Sequence, residues 1–223
     1  AIFHFCPRSS MDRILDSGSN DWGSTPHGRT LSLTPTLHMS TTTEKQFDCA
    51  LSRCRDLFVK KLKDYGASWR IMRPMSITDQ IFIKAKRIRT LETTGCAMVD
   101  EGILPEFIGI VNYGIIGLIQ LELGYCDTAD LTTDEAVGLY DKWVKATRTL
   151  MLAKNHDYNE AWRGMRVNSY TDLILTKIAR TKQIESNDGR TIVSEGVDAN
   201  YMDMVNYAVF AIIKLTSDDE AER

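Results

Sequence analysis

The segment from Lys63 to Glu92 recurs from His156 to Glu185 at a constant spacing of 93 residues. The matches include Asp64/Asp157, Tyr65/Tyr158, Trp69/Trp162, Arg70/Arg163, Thr78/Thr171, Asp79/Asp172, Lys84/Lys177, Arg87/Arg180 and Glu92/Glu185. After a one-residue insertion the register resumes with Glu101/Glu195, Gly102/Gly196, Val111/Val205, Asn112/Asn206 and Tyr113/Tyr207. Ordered agreement in rare residue types marks a tandem duplication, and it restricts the chain to two copies of one architecture. The units are placed at 39–126 and 131–216, with a turn around Asp127–Asp130 between them and a short tail at 217–223.

Each unit reads as three helices. In the second, Val137, Tyr140, Val144, Thr147 and Met151 recur every three or four residues, which predicts an amphipathic helix over Ala136–Ala153. Ser76-Ile-Thr-Asp79 and Ser169-Tyr-Thr-Asp172 resemble capping boxes and are expected to open the second helices. Asn187-Asp-Gly189 is expected to stop one of them with a left-handed turn. The third helix is placed over Glu195–Leu215. No segment alternates with period two, so the fold is predicted to be all-α. Two homologous three-helix units would pack as a pseudo-twofold bundle, a covalent version of a homodimer.

Residues 1–38 are rich in Ser, Gly, Pro and Thr, lack any period, and read as a disordered extension. Part of it resembles translation through a transfer-RNA gene, so Met39 is the expected start. The net charge of −3 provides no field to attract polymeric nucleic acid or an anionic membrane. No apolar run is expected to reach the roughly 18 residues that span a bilayer. Five scattered cysteines and four histidines offer neither zinc spacing nor a disulfide framework. A cytoplasmic location follows as an expectation, with a second copy of the duplicated chain as a candidate partner.

The candidate chemistry lies on the last helix. With 100° per residue, Glu195, Asp198, Asp203 and Asn206 share one arc, while nearly all other positions are apolar. Buried acids must be paired, metal-bound or in a wet cleft. The stripe is open to three readings: neutralisation by Lys177, Arg180 and Lys182, simple exposure at the bundle end, or a divalent cation. The first unit keeps Glu101 and Asn112 but has Leu104 and Gly109 where the second has Asp198 and Asp203. That loss suggests one working site and one scaffold copy. Trp69 and Trp162 offer ring faces for a base, although their presence in both units points to the core. Asp157 and Tyr158 end a first helix and are expected to cap or brace the site.

The segments KNHDYNEAWR, TDLILTKIARTKQIE and SEGVDANYMDMVNYAVF resemble the nucleotide-modification-associated domain family, a bacterial and phage group, over both units. That family is similar to the MazG-like all-α NTP pyrophosphohydrolases. The resemblance implies magnesium-dependent binding of an NTP or dNTP, with attack by water to release pyrophosphate. It casts Glu195, Asp198, Glu185 and Asp203 as metal ligands, and Asp203 and Glu195 as catalytic groups. Lys177 and Arg180 would hold phosphates, Asn206 would orient an acid, and Trp162 and Asp157 would line the substrate site. The chain departs from the superfamily in offering Glu185 alone where two glutamates usually stand three apart. A non-catalytic nucleotide sensor or a partner-binding helical module is the alternative.

Overall fold

The computed structural model describes residues 42–95 and 101–221; the expectations about residues 1–38 and Met39 lie outside them. The described residues form six α-helices and no strand: α1 Thr42–Tyr65, α2 Pro74–Thr94, α3 Leu104–Leu123, α4 Thr133–Tyr158, α5 Val167–Glu185 and α6 Val197–Ala221. A short 3-10 turn follows α1 (Ser68–Ile71) and α4 (Ala161–Gly164). The all-α duplicated architecture expected from the repeat is thus the one observed, and α6 runs past residue 216.

Two local expectations need correction. The second helices begin at Pro74 and Val167, with Arg73 and Arg166 at the N-caps and no side-chain cap bond. In the first unit proline's fixed φ suits the first helical position, and in both units Ser76 and Ser169 fall at the third helical residue, inside the first turn. The capping box that does form is on α4, where Thr132 and Glu135 bond each other's backbone N–H. Gly189 takes the expected left-handed conformation at φ 75° and bonds back to the Ile184 carbonyl.

Pseudo-twofold symmetry is visible in individual bonds between α2 and α5. Thr78 donates to Glu185 at 2.7 Å and Thr171 donates to Glu92 at 2.8 Å. Asp79 pairs with Lys182 at 2.6 Å, and its counterpart Asp172 pairs with Arg89 at 2.8 Å. Each bond joins one unit to the other, so the acids of the second helices serve the seam between units. Burial pushes both Glu185 and Glu92 above the usual carboxylate range, the threonine bonds oppose this, and neighbouring Asp79 and Asp172 add to it.

The most extensive interface in the molecule is between α3 and α6. A Cβ on Gly114 would lie 2.5 Å from Val205 Cγ2, and one on Gly117 would meet the Tyr201 ring at 2.9–3.1 Å. α3 is long and apolar enough to cross a membrane by length and composition, contrary to the expectation for this chain, yet 72% of that window is buried in the protein. Its all-round apolarity is that of a central core helix. α1 and α4 pack outside, each against both α3 and α6.

Gly114→Ala should overpack the axis and lower the melting temperature by several degrees, at a cost of about 1–3 kcal/mol. Adding Val205→Ala should recover part of the loss. The seam carries a pH signature. Because the folded-state pKa values of Glu92 and Glu185 are raised, stability falls as pH rises from the ordinary glutamate value of about 4.3 through the raised values. Glu92→Gln/Glu185→Gln should retain the threonine bonds, raise the melting temperature at neutral pH and flatten this slope.

Candidate functional site

α6 does not begin at Glu195. Glu195 is exposed in the loop before it, and Asp198 lies in the first turn with Oδ1 folded against Gly196, 2.8 Å from where a Cβ would stand. The helical arc therefore describes Asp203 and Asn206 but not Glu195. Asp203 is 4% exposed, with Lys154 Nζ 2.6 Å from one carboxylate oxygen and Lys177 Nζ 2.6 Å from the other. The two cations replace the water that burial removed from the carboxylate. Burial works to lower the Lys154 pKa, but the bond to Asp203 and its charge, with Glu195 nearby, hold it above the ordinary lysine range.

Arg180 is exposed on α5, and among the described residues it forms no ion pair. Tyr207, half-buried on α6, is within electrostatic reach of Asp203, Lys154, Tyr158 and Arg180. These residues gather on one outer face of the second unit. Burial, followed by the Asp203 charge, raises the Tyr207 phenol above its usual range.

The structure distributes the other expected residues more widely. Glu185 bonds Thr78 at the seam, eight residues from Lys177 and so about 12 Å away along α5. Trp162 is 6% exposed and stacks on Phe210 at 4.6 Å with Arg163 over its ring, so its faces are used in packing. Asp157 is surface-exposed beside His156. Asn206 is 5% exposed and donates weakly to the Thr147 carbonyl at 3.5 Å.

The donor set does not suit a resident magnesium ion. Both oxygens of Asp203 carry lysine ammonium groups, Glu185 belongs to the seam, and among the described residues no group of three His, Cys, Asp or Glu side chains is placed to hold a metal. The expected ligands Glu195, Asp198, Glu185 and Asp203 are not brought together.

Matched positions in the first unit show what is particular to the second. There Lys84 and Arg87 both pair with Glu106, at 3.3 and 2.8 Å. Glu106 corresponds to Asn200, and Asp203 corresponds to Gly109, over which Lys84 lies. The acid has shifted by one turn between the units. In the second unit it holds Lys177, recruits Lys154 and leaves Arg180 outside the cluster. Lys154 was missed in the sequence, although it continues the Val144, Thr147, Met151 stripe by three residues. Uncommitted polar atoms also differ. Buried side-chain atoms of Thr147, Asn155, Thr181 and Asn206 lack hydrogen-bond partners. Their first-unit counterparts are Cys54, Leu62, Ile88 and Asn112. Asn112 is satisfied by the Cys54 carbonyl and by Tyr140, whose own counterpart, Phe47, has no hydroxyl to offer Asn206.

Fold and site together define a tandem-duplicated helical bundle whose two copies have diverged in charge at one equivalent face. The family model for nucleotide modification associated domain 1 matches residues 61–121 and again 154–215, just over half the chain. The chain belongs to that family, in duplicate. Neither the curated proteins nor the solved structures provide a match.

Asp203→Asn should leave Lys177 and Lys154 repelling each other without their acid. Breaking a buried pair typically costs about 3–5 kcal/mol, and the expected outcome is a clear fall in melting temperature by calorimetry at neutral pH.

Proposed function

We propose that the second unit binds the phosphates of a nucleotide on the face formed by Lys154, Lys177 and Arg180. The observation that carries this reading is the charge imbalance around Asp203. One buried carboxylate orders two lysines, and Arg180, whose first-unit counterpart is neutralised by Glu106, lies three residues after Lys177 on α5 and has no ion pair among the described residues. Cations held rigid by a buried acid are pre-ordered for phosphate oxygens, and the arginine adds a planar fork for bidentate contacts. The unpartnered buried atoms of Thr147 and Asn206 in the same unit support a polar occupant there. The family's association with nucleotide modification is consistent with this ligand class.

Magnesium enters this reading as a companion of the nucleotide, with exposed Glu195 the acid besides Asp203 within electrostatic reach of Lys154. Asp203 is engaged through both oxygens and supports binding by positioning the lysines, so the reading is of a nucleotide-binding protein in the first instance. Hydrolysis to a monophosphate and pyrophosphate is the second reading, favoured by the open position of Glu195.

Calorimetric titration with nucleoside mono-, di- and triphosphates, with and without magnesium, tests the proposal. Lys154→Ala and Arg180→Ala should each weaken binding by about tenfold or more. The exchange Asn200→Glu/Asp203→Gly installs the first unit's arrangement, and it should give a folded protein that no longer binds. Retained affinity in that folded exchange variant would sink the reading, and pyrophosphate release from the wild type would establish turnover.

A further inference from the structure

We infer that the nucleotide's base stacks on Tyr158, so that the site requires an aromatic base as well as phosphates; this rests on the phosphate reading above. Tyr158 lies four residues after Lys154 on α4, which places the two side chains one above the other on the same face, about 6 Å apart. Tyr158 is 71% exposed. Tyr207 joins the phenol to the cation cluster, being within electrostatic reach of Tyr158, Lys154, Asp203 and Arg180. A ligand with phosphates at Lys154 and Arg180 therefore has an open aromatic face one turn away.

The backbone beyond Tyr158 is the second observation. Asn159 and Glu160 are both left-handed, at φ 46° and 57°. The first unit has a glycine at the first of these positions, Gly66, and ordinary backbone at Ala67, φ −82°. Left-handed conformations cost non-glycine residues energy and persist where surrounding contacts enforce them. Here Glu160 is held by Arg163 at 2.6 Å and by the Thr43 hydroxyl. The enforced turn fixes the end of α4 and the direction from which Tyr158 emerges. Its counterpart Tyr65 is also exposed, but the neighbouring Lys84 and Arg87 are neutralised by Glu106, so no phosphate site accompanies it.

The experiment compares a nucleoside triphosphate with inorganic tripolyphosphate as calorimetric titrants of the full chain. The wild type should bind the nucleotide more tightly. Base–aromatic stacking predicts that Tyr158→Ala weakens the nucleotide by about tenfold while tripolyphosphate affinity stays the same. Tyr158→Phe should retain the nucleotide affinity, and Tyr65→Ala should change neither ligand. Equal affinity for the two titrants, or an unchanged Tyr158→Ala, would overturn the stacking role while leaving the phosphate site standing. Absence of binding by both titrants would overturn the phosphate site and the stacking role with it.

Discussion

The close approach of α3 and α6 sets the geometry on which the other contacts rest. Gly114 and Gly117 remove the side chains that would hold the two backbones apart, and Val205 and Tyr201 fill the space. With the third helices in contact at the axis, α2 and α5 are brought side by side, and α1 and α4 close the outside. Tyr201 illustrates the linkage: from α6 its hydroxyl reaches Thr78 at 2.7 Å, which in turn bonds Glu185 on α5. One core residue of the second unit thereby fixes a hydrogen-bond chain between the second helices. Its first-unit counterpart, Phe107, carries no hydroxyl, so the chain is one member shorter there.

Duplication makes each unit a control for the other. Gln120 caps the Trp69–Arg70 turn by donating to the Arg70 carbonyl at 3.1 Å, and it accepts from the Arg70 guanidinium, which is 3% exposed. Lys214 takes over the first task, donating to the Arg163 carbonyl at 2.8 Å. A lysine cannot accept from an arginine, and Arg163 lies outside, over the Trp162 ring. The backbone contact is common to both units, while the charge is internal in one and on the surface in the other. The Glu106/Asn200 difference acts in the same direction on Arg87 and Arg180.

The fold was legible because the repeat constrained it: helix number, the burial of Trp69 and Trp162, and the central third helices all follow from matched apolar positions. The site was legible only in part. Asp203 and Lys177 could be paired from helix register, because both lie well inside helices. Glu195 could not be placed, since the helical wheel was extended two residues before the helix begins. Glu185, cast as a metal ligand by the family resemblance, instead serves the other unit, as the matched Thr78/Glu185 and Thr171/Glu92 bonds show. A lone sequence contains no direct record of such inter-unit contacts. Lys154 was missed because it extends an apolar stripe as a lysine, whose long stem packs while its ammonium reaches Asp203.

The distribution of unsatisfied polar atoms bears on why the copies differ. A buried polar atom without a partner costs about 1–3 kcal/mol, and a chain selected for stability alone would remove it. The first unit has an apolar side chain or cysteine at the positions of Thr147, Asn155 and Thr181, and it satisfies the asparagine that both units share. The second retains unmet hydrogen-bonding capacity at all four positions, close to the helices that carry Lys154, Lys177 and Asp203. The first unit leaves only Gln46 and Trp69 unpartnered among the described residues, and the α3–α6 contact, by coupling the stability of both halves, lets the second unit bear the greater cost. The larger share of that cost falls in the unit where one buried acid, Asp203, holds two lysines, which fits the proposal that this copy has diverged toward a polar site while the other supports the fold.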